Sequence, residues 1–337
     1  RAAGRALPAH LDALRALRAG LTGDEAIAID VVLALGHAAR GRPDAAPALP
    51  ASLRERALVT AHRDRHDLAR LRPAVTAFIA ACSTKVTILV LLRFDFVVFM
   101  GNIAEHATQF ALFVMPLALL GILFGSGVAI FETNVKRLLG YSSIAQLGYI
   151  LLGASFVDRA GLLASVLHIF NHALAKGALF LAIVALGHRL SRFEIRALHG
   201  IGRQMPWTLG AFSVAALGLI GVPGTAGFIS KWYLIVAAFG QGPLGLVLVG
   251  VIVASSLMAI VYLWRILEPA WFGTADPAAS GPGGVVPVGE APVGEAPVGV
   301  LAVVLLAAAL NVWFGLVPAL PLELAGHAAD ELLRHVP

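Results

Sequence analysis

The sequence predicts an all-α, polytopic membrane protein with about seven transmembrane helices, one of them broken. Three observations carry this prediction. Hydrophobic residues make up 58% of the 337 residues and charged residues only 13%, against about 25% in a soluble domain. The apolar residues gather in runs of roughly 20, the length that crosses a bilayer. One such run contains a Gly/Pro cluster that interrupts a helix.

The first 73 residues differ sharply from the rest. They hold 12 Arg, 8 Asp/Glu and no Lys, whereas residues 74–337 hold 25 charges in 264 residues. We interpret residues 1–73 as an Arg-rich, non-membrane segment of short helices and irregular chain. Residues 74–337 then form the membrane domain. The high isoelectric point is typical here of membrane loops rather than of nucleic-acid binding, and we expect no nucleic-acid partner.

Seven apolar segments follow in order, each at or near the length of a membrane span. They are 74–99, 110–131, 141–157, 162–187, 208–240, 244–266 and 298–317. The fifth is interrupted by Gly221-Val222-Pro223-Gly224-Thr225-Ala226-Gly227. A broken span, with loose backbone lining a cavity, fits this segment, and so does a pair of short helices joined by a turn. Residues 274–299 repeat Pro-Val-Gly-Glu-Ala and indicate a low-complexity loop to which we assign no function.

The four lysines of the chain, against 21 arginines, all lie in the membrane domain. Lysine can lose its proton when it is buried, whereas arginine stays charged, so a proton carrier would use lysine. Lys85, Lys176 and Lys231 lie within apolar surroundings and are candidate proton carriers, with snorkelling from a helix end as the alternative. Lys136 lies beside Arg137 between two spans, where we expect a solvated loop charge.

A line of titratable residues is predicted on one helix. His168, His172 and Lys176 are spaced i, i+4, i+8, which places them on one face over about 12 Å. Histidine both accepts and donates a proton near neutral pH, so the line is a candidate proton relay. Zinc binding and satisfied core histidines are the alternatives. The sequence contains no nucleotide- or flavin-binding motif and a single cysteine, and we expect no cofactor and no metal.

Three motifs resemble one known family. They are the run 133–149, TNVKRLLGYSSIAQLGY, the run 168–177, which contains His168, His172 and Lys176, and the run 221–231, GVPGTAGFISK. Together they resemble the proton-conducting antiporter-like membrane subunits. That family includes membrane subunits of respiratory complex I (NADH-quinone oxidoreductase) and of multisubunit Na+/H+ antiporters. The runs 202–207 and 228–233 make the chain most similar to the D-type antiporter subunit.

The resemblance implies specific positions for the candidate residues. It begins near residue 74 and corresponds to the family's eighth helix through to its last, so the match is to the C-terminal half. Lys85 then matches the lysine of the eighth helix, on the central proton path. His168, His172 and Lys176 match the titratable line of the eleventh helix. Lys231 matches the ionisable residue of the broken twelfth helix, near the exit of the second half-channel.

The resemblance also exposes a departure. No residue in 1–73 can take the roles of the charged pair in the family's first seven helices. We therefore hypothesise that residues 1–73 are read out of frame and that the chain is a fragment of a longer protein. Resequencing of the locus tests this hypothesis, and an intact frame without upstream family sequence would contradict it.

The function expected from these features is proton translocation as a subunit of a cation/proton antiporter, in a bacterial inner membrane. A complex I membrane subunit is one alternative, an inactive truncated remnant is another, and an adaptor with a membrane anchor built on residues 1–73 is a third. We expect a transporter subunit rather than a catalytic chain. The expected partners are other membrane subunits, the lipid bilayer, H+ and, for an antiporter, Na+.

Overall fold

In the computed structural model, the described residues are 84–99, 106–187, 190, 193–274, 294–334 and 336. Residues 1–73 lie outside the described residues, and so does the interpretation of that segment. Most of the low-complexity loop also lies outside them. Within the described ranges the chain is helical and contains no β-strand. The α-helices are α1 Thr84–Arg93, α2 His106–Phe131, α3 Val135–Ala154, α4 Arg159–Leu186, α5 Ile201–Gln204, α6 Pro206–Ile220, α7 Ala226–Phe239, α8 Gly245–Phe272, α9 Val298–Leu316 and α10 Ala319–Leu333.

Shorter turns of helix extend or connect these elements. A π-helix, Phe94–Phe99, continues α1, and 3₁₀ turns at Ile195–Leu198 and Gly242–Leu244 precede α5 and α8. Each of the seven predicted apolar segments contains helix in its described part, and the segment 208–240 is divided between α6 and α7. The predicted all-α class of a polytopic membrane protein is thereby confirmed.

Among the described residues, four helical stretches are long and apolar enough to cross a membrane. They are His106–Phe131, Arg159–Leu186, Gly242–Phe272 and Val298–Leu316. The predicted broken segment forms two shorter apolar helices, α6 and α7. The last helix, α10, was not among the predicted segments, because its acidic residues make it amphipathic rather than apolar.

Helix α4 is the centre of the membrane domain. It packs against α3, α6, α7, α9 and α10. Its most apolar window is 67% buried, against 22–28% for the three other long helices, yet its mean hydropathy of 1.8 is lower than their 2.2–2.7. The more apolar helices thus present large hydrophobic side chains outward, and the helix with the most polar groups is enclosed by protein. This distribution suits a protein surrounded by lipid.

The ends of the central helices follow from local sequence. The Asn134 side chain accepts from the backbone N–H groups of Lys136 and Arg137 and caps α3. Asp158 accepts from the Gly161 N–H at the start of α4 and also from the Gln241 amide at 2.9 Å. Such caps satisfy N–H groups that the first helical turn leaves without partners.

Glu295, from the second copy of the Pro-Val-Gly-Glu-Ala repeat, caps a helix that is distant in sequence. Its carboxylate accepts from the backbone N–H of Trp207 at 2.6 Å and from the N–H and hydroxyl of Thr208 at 3.3 and 2.6 Å. An acidic side chain at this end of α6 also complements the helix dipole. The last residues of this loop therefore anchor the start of α6, a structural contact that the sequence did not predict.

The backbone between α6 and α7 is interrupted at the predicted residues. Gly221 and Gly224 adopt φ of 89° and 88°, a region that favours glycine. Pro223 cannot donate to a carbonyl four residues earlier. Beyond the interruption, Gly227 packs so closely on α6 that a Cβ there would overlap the Gly218 carbonyl oxygen.

This contact predicts that Gly227→Ala destabilises the fold. The added methyl group meets backbone, which cannot move aside as a side chain does, and overpacking of this kind costs about 1–3 kcal/mol. We expect a lower midpoint of thermal unfolding in detergent, followed by tryptophan fluorescence. The matched control is Gly250→Ala, because a Cβ at Gly250 meets nothing within 4 Å. Equal midpoints for the two variants would contradict the packing described here.

Candidate functional site

Lys231 lies on α7, one and a half turns after the interruption, and its side chain reaches back to the end of α6. The ammonium donates to the carbonyl oxygens of Leu219 at 3.2 Å and Ile220 at 2.7 Å, and to the Ser256 hydroxyl at 3.1 Å. The Leu219 carbonyl has no helical donor, because the residue four positions later is Pro223. The interruption thus supplies the acceptors that hold a buried lysine.

Lys176 is the most enclosed of the candidates, with no exposed surface. Its ammonium donates to the Leu139 carbonyl at 2.5 Å and to the Ser142 hydroxyl at 2.6 Å, both on α3. The Phe180 ring lies 5.9 Å away, within the range of a cation–π interaction. Helix α3 therefore supplies the hydrogen-bond acceptors of Lys176, just as the end of α6 supplies carbonyl acceptors for Lys231.

His168 is hydrogen-bonded through both ring nitrogens. Nδ1 lies 2.9 Å from the Ser230 hydroxyl, and Nε2 lies 3.0 Å from the Gln146 side-chain oxygen. The Ser230 hydroxyl is also 3.2 Å from the Gly227 carbonyl. Ser230 can therefore donate to a neutral imidazole, or accept from an imidazolium while donating to Gly227. His168 has suitable partners in both protonation states.

His172 follows His168 on the same face of α4. The two rings are stacked, with centroids 6.1 Å apart and planes inclined by 15°. Both ring nitrogens of His172 are buried and have no hydrogen-bond partner among the described residues. The structure therefore places His168, His172 and Lys176 in one buried line along α4, as the spacing predicted.

Lys85, on α1, is also buried, and α1 packs against α4. Its ammonium donates to the Thr84 hydroxyl at 3.2 Å. The five sequence-derived candidates are thus buried side chains of three helices, and α4 packs against both α1 and α7. In the described ranges, none of the buried polar side chains is a carboxylate, so the groups of this cluster are of one charge type.

Lys136 differs from its predicted setting. It belongs to the first turn of α3 rather than to a loop, and it is half-buried. Its ammonium lies 3.7 Å from the centroid of the Phe193 ring. The expectation of a solvated loop charge is therefore wrong in part, because Lys136 lies in a helical turn and the segment after α4 places an aromatic face over it. Lys136 remains at a helix end, separate from the buried cluster.

Sequence reasoning missed the groups that hold the candidate residues. Gln146, Ser142 and Ser230 each contact a titratable side chain, but nothing in their type distinguishes them from other polar residues. One signal was present in the sequence: Pro223 stands four residues after Leu219, which leaves that carbonyl without a donor. A buried lysine nearby could have been predicted from that spacing.

The chain is similar in sequence to known proteins. The sequence profile of the family described as NADH:quinone oxidoreductase/Mrp antiporter, TM, matches residues 71–258. The NADH-quinone oxidoreductase subunit N of Desulforudis audaxviator is 39% identical over 206 residues, 61% of this chain and 40% of that protein. The chain thus spans about two fifths of the length of this curated relative.

Solved structures show the same fold. A chain of the Mrp complex from Dietzia sp. superposes with a TM-score of 0.64 at 27% identity, covering 78% of this chain and 54% of the other. A chain of respiratory complex I from Thermus thermophilus superposes with a TM-score of 0.56 at 22% identity, over 68% of this chain and 46% of the other. The profile match covers more than half of the chain, which therefore belongs to the NADH:quinone oxidoreductase/Mrp antiporter transmembrane family.

Proposed function

We propose that the chain is the proton-translocating part of a membrane subunit of an NADH-quinone oxidoreductase in a bacterial inner membrane. The name and 39% identity of the Desulforudis relative favour this assignment over the D-type antiporter subunit, to which the motifs alone are most similar. The single observation that carries proton translocation is the buried line on α4. Titratable groups in the membrane interior are costly and are typical of ion pathways.

The proposed pathway runs through Lys85, His168, His172, Lys176 and Lys231. His168 is suited to relay a proton, because its partners accommodate both the neutral and the protonated ring. His172, stacked on His168, has two ring nitrogens that no described residue occupies. Water that enters beside them would connect His168 to Lys176, since a titratable chain needs donors and acceptors within hydrogen-bond reach.

The driving step is electrostatic. All five groups carry positive charge when protonated, and no buried carboxylate compensates them in the described ranges. A proton arriving at Lys85 would therefore repel protons on the α4 line, because α1 packs against α4 and both lie in an apolar interior. Coupled groups of this kind release protons as a set rather than independently. A charge change in a neighbouring subunit would act on the line in the same way.

Partner subunits are part of this proposal. The names of the similar structures describe multi-subunit complexes. Many large hydrophobic side chains of α2, α8 and α9 are exposed in the described part of the chain. Such surfaces suit lipid and neighbouring membrane subunits.

A cation/proton antiporter subunit is the second candidate. Its support is the Dietzia Mrp structure, which superposes on 78% of this chain. In that case proton movement along this path would be coupled to the opposite movement of a monovalent cation such as Na+, instead of to quinone reduction. The buried cluster contains no carboxylate that would favour a cation in the described ranges.

The first prediction concerns Lys176→Met. Methionine has a similar length and cannot carry a proton, so proton uptake by inverted vesicles should fall by about 100-fold or more. Thermal stability should stay near the wild-type value, because the variant removes the cost of burying an ammonium group but also removes the hydrogen bonds to the Leu139 carbonyl and the Ser142 hydroxyl. The vesicles would contain the chain together with its neighbouring subunits.

Lys136→Met is the matched control for this prediction. It makes the same change at a half-buried lysine outside the cluster. Transport should persist, and the unfolding midpoint should fall slightly with the loss of a cation–π contact, which contributes about 0.5–1 kcal/mol. Proton transport that survives Lys176→Met at the wild-type rate would overturn the proposed pathway.

The second prediction separates the two candidate assemblies. Inverted vesicles from a host without its own NADH-quinone oxidoreductase and Na+/H+ antiporters would receive either NADH with a quinone or a sodium jump. We expect proton uptake with NADH and no sodium requirement, and we expect Lys231→Met to abolish it. Proton movement driven by sodium alone would assign the chain to an antiporter. A silent wild type under both conditions would favour the inactive remnant.

A further inference from the structure

The ring of Tyr149, on α3, contacts two of the proposed proton carriers at once. The Lys231 ammonium lies over the ring, 5.0 Å from its centroid. The His168 ring, on α4, meets the Tyr149 ring edge-on, with centroids 5.5 Å apart and planes inclined by 79°. These distances are within the ranges of a cation–π contact and of an edge-to-face aromatic pair. Lys231 and His168 thus share one aromatic neighbour.

Packing holds this ring in place. Tyr149 is 1% exposed and belongs to a buried apolar cluster with Ile122 of α2, Leu234 of α7 and Ile252 of α8. Its hydroxyl donates to the Ile252 carbonyl oxygen at 3.5 Å. The preceding residue, Gly148, lies so close to α2 that a Cβ there would overlap Ile122. Three neighbouring helices therefore fix the position of the ring.

In the described part of the chain, Lys231 and His168 share no hydrogen-bond partner. The ammonium donates to two carbonyls at the end of α6 and to a hydroxyl of α8, whereas the imidazole bonds to side chains of α3 and α7. Both groups contact the Tyr149 ring, whose face attracts a cation but offers no lone pair that could accept a proton. The ring therefore gives a proton no hydrogen-bonded route from one group to the other.

We propose that Tyr149 is a positioning residue whose ring keeps water from linking Lys231 to His168. A proton then passes between the two groups only when one of their side chains moves, so its passage is tied to the driving step. This inference rests on the proposed function. Tyr149 is the last residue of the run 133–149, and the family resemblance implies no role for it.

Loss of the ring would leave a cavity that borders an ammonium and an imidazole. Tyr149→Ala deletes a phenol group, which makes room for about three water molecules at about 30 Å³ each. A cavity with polar groups on its walls takes up water, whereas an apolar cavity stays dry. Water in this cavity would link Lys231 to His168 at all times, and protons would leak through the chain without the driving reaction.

The test measures proton leak separately from driven uptake. A pH gradient is imposed on inverted vesicles that contain the chain with its neighbouring subunits, and its decay is followed with a pH-sensitive dye while no driving reaction is supplied. Vesicles without the chain give the background rate. We expect Tyr149→Ala to raise the chain-dependent decay rate by about tenfold and to lower net driven uptake. Tyr149→Phe keeps the ring and should stay within about twofold of the wild type in both measurements.

Phe96→Ala is the matched control for the cavity itself. Phe96 is fully buried and packs edge-on against Phe110 within an apolar cluster. The variant should lower the unfolding midpoint, but its cavity is apolar and the decay rate should stay at the wild-type value. Tyr149→Leu is a second test of the ring, which keeps the inference open to refutation if Tyr149→Ala does not fold. It leaves less space than alanine and should raise the decay rate by about threefold.

The outcomes separate this inference from the proposed function. A wild type with driven uptake, and no faster decay in Tyr149→Ala or Tyr149→Leu, would overturn the inference alone. An equal leak in Phe96→Ala would also overturn it, by tracing the leak to general loosening of the fold. An equal leak in Tyr149→Phe would overturn it by assigning the effect to the hydroxyl instead of the ring. A wild type without driven uptake would overturn the proposed function, and this inference with it.

Discussion

In the described part of the chain, a buried ammonium group is held without a carboxylate, and the rest of the structure depends on how this is done. Lys231 can be buried because α6 ends at Ile220, and Gly221 and Pro223 leave the carbonyls of Leu219 and Ile220 without helical donors. Those carbonyls are the negative end of a helix dipole. The same interruption lets Gly227 approach Gly218 closely. The break in the helix and the lysine after it are thus linked, because the break leaves free the carbonyls to which the lysine donates.

The partners of the lysines also decide what they can do. A buried lysine paired with a carboxylate is held in its charged form, whereas carbonyls and hydroxyls bond to an ammonium and leave it able to lose its proton. Lys176, with the Leu139 carbonyl and the Ser142 hydroxyl, follows the same rule. The helix that carries it is 67% buried over its most apolar window, more than the other long helices of the described ranges. The proposed proton carrier is therefore kept away from lipid.

Much of this could be predicted from sequence, because apolar length and helical spacing are local properties. The span predicted at 298–317 is α9, Val298–Leu316, and the line on α4 follows directly from i, i+4, i+8 spacing. Helix α10 was not predicted, because a search for long apolar segments does not detect an amphipathic helix. The Glu295 cap and the contact of Lys136 with the Phe193 ring were not predicted, because both join residues that are far apart in sequence.

The hydrogen-bond partners of hydroxyl groups could not be predicted from the sequence. Serine in an apolar helix commonly bonds to a carbonyl of its own helix, as Ser155 does to Leu152 and Ser213 does to Leu209. Its presence in a sequence therefore carries no information about a partner. Ser255 has the same residue type and burial as Ser155, but its hydroxyl meets Ser126 on another helix. Only the packing of α2 against α8 distinguishes a serine that bonds within its own helix from one that bonds to a neighbouring helix.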